Sequence, residues 1–319
     1  MNPTVTVTKR GEDRVLRGHP WVYRSDIAAV TDAGAGEIVR VVSGGGGRHR
    51  RLGSAMYSDR SEIAIRMISR SDDPIDNEFW RGRLAQAIRY RADLQIEATD
   101  TTAYRLVHGE GDLLPSLIVD RYGDYLVVQS LSQGTDRLLS LFVDELVALA
   151  QPTGVLARND PRVRLLEGLE QEVKLLYGEV PDRVVVREAG IEYEIDLWRG
   201  QKTGLFLDQR ENRLAARSWA RGRLLDCFSY HGGFAMALAS RCDSVLALDI
   251  SEEAVASIRA NAARNHIGNL EARAANVFDE LRELDRADER FDTIVLDPPA
   301  FARNKAVVAK AASGYKEIN

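Results

Sequence analysis

Four polar residues in the last third of the chain each close a short apolar run. They are Asp226 after RLL, Asp249 after SVLAL, Asn276 after LEARAA, and Asp297 after FDTIVL. Asp226 is followed by Gly232-Gly233, and Asp297 by Pro298-Pro299. An apolar run that ends on a carboxylate reads as a buried strand delivering charge to one edge of a sheet. Two consecutive prolines cannot continue a central strand, because neither donates a ladder hydrogen bond. The chain must therefore turn stiffly at Asp297. Paired glycines permit a tight turn and a close approach of backbone to ligand. An acidic residue ending the next strand, roughly 20 residues on, suits hydrogen bonds to a ribose diol.

The elements that position these groups alternate. From about residue 200 the pattern is strand, glycine turn, helix, strand, helix, strand, strand, which predicts half of a doubly wound α/β sheet with an adenosine-type cofactor at its switch point. GGF lacks the full GxGxxG pattern, which argues against a dinucleotide, and the absence of a Walker lysine argues against ATP. S-adenosylmethionine, which has no pyrophosphate to cradle, is the remaining common candidate.

Upstream the period is different. VTVTK, GEIVRVVS and EIAIRMIS predict a small β domain over residues 1–72. A loop, Gly44 to Gly47, is followed by Arg48, His49, Arg50 and Arg51. Residues 73–198 open with NEFWRGRLAQAIRYRADL, whose Trp80, Leu84, Ile88 and Leu94 fall at helical spacing. YRLVHGEGD, SLIVDRYGDYLVVQSL and VVVREAGIEYEIDLW then read as strands and TDRLLSLFVDELVALA as a helix, an α+β domain with no catalytic constellation.

Charge separates the first segment from the rest. The chain carries −5 overall, yet Met1 to Arg70 holds 12 Lys and Arg against 7 Asp and Glu, which is +5 and leaves −10 for the remainder. A basic amino-terminal module on an acidic body fits a protein that holds a polyanion at one end. Arg14, Arg17, Arg48, Arg50 and Arg51 are the candidate contacts. The chain is 45% hydrophobic and 29% charged, ordinary for a globular protein. No apolar run approaches the ~18 residues of a membrane span. MNPTVTVTKR has no apolar signal region, and Cys227 and Cys242 suggest neither a disulfide framework nor a metal site. A cytoplasmic protein with no membrane contact is the expectation.

WRGQKTGLFLDQRENR, LDCFSYHGGFAMALA, ALDISEEAVASIRANAARN and LDPPAFARNK, in that order, resemble the bacterial S-adenosylmethionine-dependent 23S rRNA (cytosine-C5) methyltransferases that carry an amino-terminal PUA domain. GEDRVLRGHPWVYRSDI resembles the start of that domain, so the resemblance covers almost the whole chain. It implies a β-rich PUA-like RNA-binding domain over 1–72, a connecting helix and central α+β domain over 73–198, and a Rossmann-like class I methyltransferase domain with an incomplete sheet over 199–319.

The resemblance also implies roles. Asp226, Phe228, Ser229, Gly232 and Gly233 would line the methionine and adenosine moieties. Asp249 would take the ribose hydroxyls, with Ile250 against the adenine. Asn276 stands where the family usually has Asp, and its side-chain oxygen can accept from the adenine amine. Gln201, Lys202, Thr203 and Gly204 would lie over the cofactor. Asp297 would meet both the cofactor and an unstacked target base. His231 stands where the family usually has Thr and reads as a tolerated turn variant. The implied partner is 23S rRNA of the large subunit; the oligomeric state is open, a homodimer included.

Methylation at C5 of cytosine needs a thiolate that adds at C6. The position after the Asp-Pro-Pro turn is Ala300, and Cys227 and Cys242 are poorly placed. The family resembled supplies its cysteine from a Ser-Cys-Ser-like segment after the next strand, and the chain closes before such a segment. The expectation is a truncated sequence whose fourth strand is an apolar edge and which transfers no methyl group alone. A guanine-N methyltransferase of the same fold and a non-catalytic RNA-binding protein or inactive fragment stay open as alternatives.

Overall fold

The computed structural model describes residues 3–44, 50–200, 203–301 and 308–318. The chain forms two compact units, Met1–Val186 with Ile195–Gly204, and Arg187–Glu194 with Leu205–Asn319.

The first unit contains two sheets. Strands β1 (Thr4–Val7), β2 (Trp21–Tyr23), β3 (Ile27–Thr31), β4 (Ile38–Ser43), β5 (Arg51–Tyr57) and β6 (Ile63–Ser69) pair in the order β2-β6-β5-β4-β1-β3. All pairs are antiparallel except β1 with β4. Alternation along these strands buries Val5, Val7, Val39, Val41 and Ile65, and Val15 of the helix Lys9–Leu16 joins the same core. Thr8 starts that helix by accepting the Gly11 N–H at 3.3 Å.

Strands β7 (Ala103–His108), β8 (Leu117–Tyr122), β9 (Tyr125–Ser130), β10 (Gly154–Asn159) and β11 (Glu172–Gly178) form the second sheet in the order β11-β10-β9-β8-β7. β9 and β10 are parallel, because the helix Leu139–Ala150 crosses over between them. The helix Asn77–Asp93 buries Trp80 and Leu84, with Trp80 edge-on to Phe142 at 5.4 Å. Ile88 packs at the margin of this core. Leu94 does not pack: it is the residue that ends the helix and it is half-exposed. The 1–72 segment and all of 73–198 except Arg187–Glu194 share this one unit, joined by the buried Arg66–Glu167 ion pair at 2.7 Å and by Trp21 Nε1 donating to Glu110 at 2.9 Å.

Strands β12 (Arg183–Glu188) and β13 (Ile191–Asp196) form a hairpin through which the chain enters the second unit and returns. The second unit is built on β14 (Arg223–Cys227), β15 (Ser244–Asp249), β16 (Leu270–Ala274) and β17 (Thr293–Leu296), all parallel, in the order β16-β15-β14-β17. The chain runs outward from β14 to β16 and then comes back to the other side of β14. That reversal makes the β14–β17 edge a switch point. Both faces of β14 are covered, Leu224 packing with Val245, Val255 and Ile258, and Leu225 with Leu248 and Val277. Burial on two faces explains why its sequence is a run and not an alternation. β17 lies at one edge of the described sheet, and Ile294 on it is 57% exposed. Among the described residues no helix is long and apolar enough to cross a membrane.

Candidate active site

Asp226 closes the strand–turn–helix unit around the glycines. It is 2% exposed, and its Oδ2 accepts the Ala235 N–H at 3.0 Å from the next helix. Ser229 Oγ donates to its carbonyl at 2.7 Å. Burial pushes the Asp226 carboxyl up to about 7, and the nearby Asp297 and Asp249 add to the rise. The turn that follows is strained: Phe228 and Tyr230 have φ of +61° and +50°, a region that costs a side-chain-bearing residue about 1 kcal/mol or more. Two bonds hold it there, Ser229 N–H to Leu248 O and Tyr230 N–H to Asp249 Oδ2, both at 2.9 Å. Gly232 has φ of +73°, and a Cβ there would stand 3.1 Å from Ile258.

The other three strands end at the same edge. The second oxygen of Asp249 accepts the Ser251 N–H at 2.9 Å, so two backbone donors orient the carboxylate. Ile250, next to it, is 74% exposed. β16 stops at Ala274, so Asn276 is not a strand end; it caps the helix Val277–Arg286, its Oδ1 accepting the Phe278 N–H at 3.0 Å. Phe228, Phe278 and Phe301 place their ring centroids 5.7 to 6.5 Å apart. Asp297 follows β17 directly and accepts from Gln209 Nε2 at 3.3 Å.

Residues 158–318 match the S-adenosylmethionine-dependent methyltransferase family, and residues 5–70 match the PUA-like domain. The chain belongs to the S-adenosylmethionine-dependent methyltransferases. It is 41% identical over 327 residues to the ribosomal RNA large subunit methyltransferase I of Tolumonas auensis, covering 100% of this chain and 81% of that protein. The protein of that name from Vibrio cholerae is 38% identical with the same coverage. A solved Streptococcus mutans structure described as a SAM-dependent methyltransferase shares the fold, with a TM-score of 0.80 at 23% identity over 98% of this chain and 82% of that one.

The groups at this edge of the methyltransferase unit fit the family's cofactor. The Gly232 turn leaves backbone bare, Asp249 offers remaining lone pairs on an oriented carboxylate, and Ile250 presents an uncovered apolar surface of the kind a purine ring packs on. Asn276 keeps a second lone pair on its capping oxygen. When bound, S-adenosylmethionine supplies an electrophilic methyl group on a sulfonium.

Thr203 and Gly204 fall in the first unit of the methyltransferase. Thr203 is 1% exposed there; its hydroxyl donates to Asp120 Oδ2 at 2.6 Å and bonds with the Tyr122 hydroxyl at 2.9 Å. That hydroxyl is held by residues of β8. Gln201 and Lys202 lie outside the described residues, as does Arg48.

Of the other arginines, Arg14 and Arg17 line a groove of about 830 Å³ together with Lys9, Arg10 and His19. Arg14 stacks 4.8 Å over Tyr23 and stands 3.5 Å from Asp26. Arg17 and Arg50 are exposed, while Arg51 is paired with Asp72 and so brings less free charge to a polyanion.

Cys227 is 0% exposed and burial pushes its thiol up to about 12; the Cys242 thiol is also raised by burial. Neither is a thiolate at neutral pH. His231 packs within the turn. Its Nδ1 bonds with Ser257 Oγ at 3.0 Å, its ring lies 3.9 Å from Tyr230, and burial lowers its pKa to about 4. Gln209, Asn212 and Arg213 belong to the WRGQKTGLFLDQRENR stretch but carry no assigned role; Gln209 stands just before the helix that bears the other two, three and four residues on.

Proposed function

We propose that this methyltransferase carries a methyl group from S-adenosylmethionine to a base of large-subunit ribosomal RNA, with C5 of a cytosine as the acceptor. The observation that carries the reading is 41% identity across 100% of the chain to a protein named ribosomal RNA large subunit methyltransferase I. In this reading Asp226, Phe228, Ser229, Gly232 and Gly233 hold the methionine and ribose side of the cofactor. Asp249 takes the ribose diol, Ile250 the adenine face and Asn276 the adenine amine. Asp297 accepts from the exocyclic amine of the target base, and the two prolines after it fix the loop before binding, which reduces the entropy lost on association. Residues 1–72 hold the RNA backbone through Arg14, Arg17 and Arg50, residues 73–198 act as the connecting domain and residues 199–319 perform the transfer.

One observation favours a second reading. The Asp297-Pro298-Pro299 turn is followed by Phe301 and then by Arg303 and Lys305, a pattern that resembles some guanine-N methyltransferases of this fold. Methylation of a guanine amine needs only an acceptor such as Asp297. The test is transfer of labelled methyl from S-adenosylmethionine to 23S rRNA, followed by nucleoside analysis. 5-Methylcytidine supports the first reading and an N-methylguanosine the second. Cofactor binding without transfer leaves an RNA-binding protein.

A further inference from the structure

Gln209, Asn212 and Arg213 have no part in the roles above, yet they stand beside the reacting edge. Gln209 immediately precedes the helix Arg210–Ala216, which carries the other two. Asn212 Nδ2 donates to Gln209 Oε1 at 2.6 Å, and Gln209 Nε2 donates to Asp297 Oδ2 at 3.3 Å. The two contacts select one orientation of the amide. Turned over, it would set its oxygen against a carboxylate that can only accept.

Arg213 gives this amide a fixed base. It is buried, its Nε and Nη2 each 2.7 Å from Glu188, and Nη2 also donates to the Phe206 carbonyl at 3.0 Å. One guanidinium thus fastens the helix to the hairpin tip and to the segment just before Gln209. Asp297 is exposed, and Gln209 Nε2 is a side-chain donor to its carboxylate. Pro298 and Pro299, the residues that follow it, have no N–H, whereas Asp249 takes its donors from Tyr230 and Ser251.

The geometry points to Gln209 as a positioning residue for the transfer: locked by Asn212, its amide occupies one oxygen of Asp297 and leaves the other to face the exocyclic amine of the target base. This rests on the proposed function for the step it serves, but the contact itself is testable separately.

The first measurement uses the full chain labelled with [15N]glutamine, the side-chain resonance of Gln209 being identified by its loss in Gln209→Glu. Asp297→Ala and Asn212→Ala are each expected to shift that resonance. If neither moves it, the hydrogen-bonded chain does not exist and the inference is overturned. The second measurement is kinetic. Gln209→Ala lowers kcat roughly 10- to 100-fold with KM for RNA little changed. In an Asp297→Ala background the same substitution adds nothing, because the amide acts only through that carboxylate. Additive losses overturn the positioning role. A wild-type chain that shows the spectral coupling but transfers no methyl supports the aim of Gln209 on Asp297 and defeats the function proposed above.

Discussion

The Oδ2 atom of Asp249 accepts the backbone N–H of Tyr230 at 2.9 Å, which ties the end of one strand to the strained turn after its neighbour. The carboxylate proposed to hold ribose is therefore also the group that keeps the left-handed turn in place. Binding and local conformation are coupled through one side chain.

Asp249→Ala removes both roles. Cofactor affinity is expected to fall roughly 10- to 100-fold, the worth of one or two hydrogen bonds to a charged group. Asp249→Asn, which keeps one accepting oxygen for the Tyr230 N–H, is expected to lose less. Calorimetric titration of the two variants with S-adenosylmethionine checks the order.

Asp226 predicts a pH effect on stability. Its folded pKa of about 7 is above the ordinary 3.8, so between those values the folded protein retains a proton that the unfolded chain has released. Its contribution is complete below pH 3.8, declines as pH rises to about 7 and is level beyond. Asp226→Asn removes this slope. Tm measured against pH for both proteins should therefore differ most steeply across that window. An unchanged difference would mean that the carboxyl is already ionised when folded.

His231 acts in the opposite direction. Burial lowers its pKa from 6.5 to about 4, so the unfolded chain takes up a proton that the folded protein refuses. The stability of the neutral ring is lost as pH falls from 6.5 to about 4. In His231→Thr that acid loss disappears, and the variant gains on the parent in Tm as pH is lowered through this range.

The buried Arg213–Glu188 pair is expected to be sensitive to loss of one partner. Glu188→Gln leaves the guanidinium with an uncompensated charge and costs about 3 kcal/mol, a fall in Tm of roughly 10 °C. A fall near zero would show that the pair is solvated in solution. Rescue by the double change Arg213→Met with Glu188→Leu distinguishes a burial penalty from a specific structural demand.

Much of this fold is written in local pattern. The strands ending at Asp226, Asp249 and Asp297, the helix after Gly232 and the basic amino-terminal β segment follow from apolar periodicity, glycine and proline placement, and the charge split. Each of these is a short-range property of the chain. Asn276 is ambiguous in local pattern, because an Asn after an apolar stretch ends a strand or caps a helix equally well, and only the Phe278 N–H shows which.

Other features depended on what folding brings together. Nothing along the chain says that the Thr203 hydroxyl meets Asp120 across 83 residues, or that Gln209 meets Asp297 across 88. The raised carboxyl of Asp226 and the lowered ring of His231 come from burial, which a sequence implies only loosely. The sequence by itself determined the fold class and the cofactor class, because those rest on spacing within strand–turn–helix units, and its motifs carried the resemblance to the family. The tertiary structure decided which side chains hold that edge in shape and at what protonation, because hydrogen-bond partners and desolvation are set by groups distant in the chain.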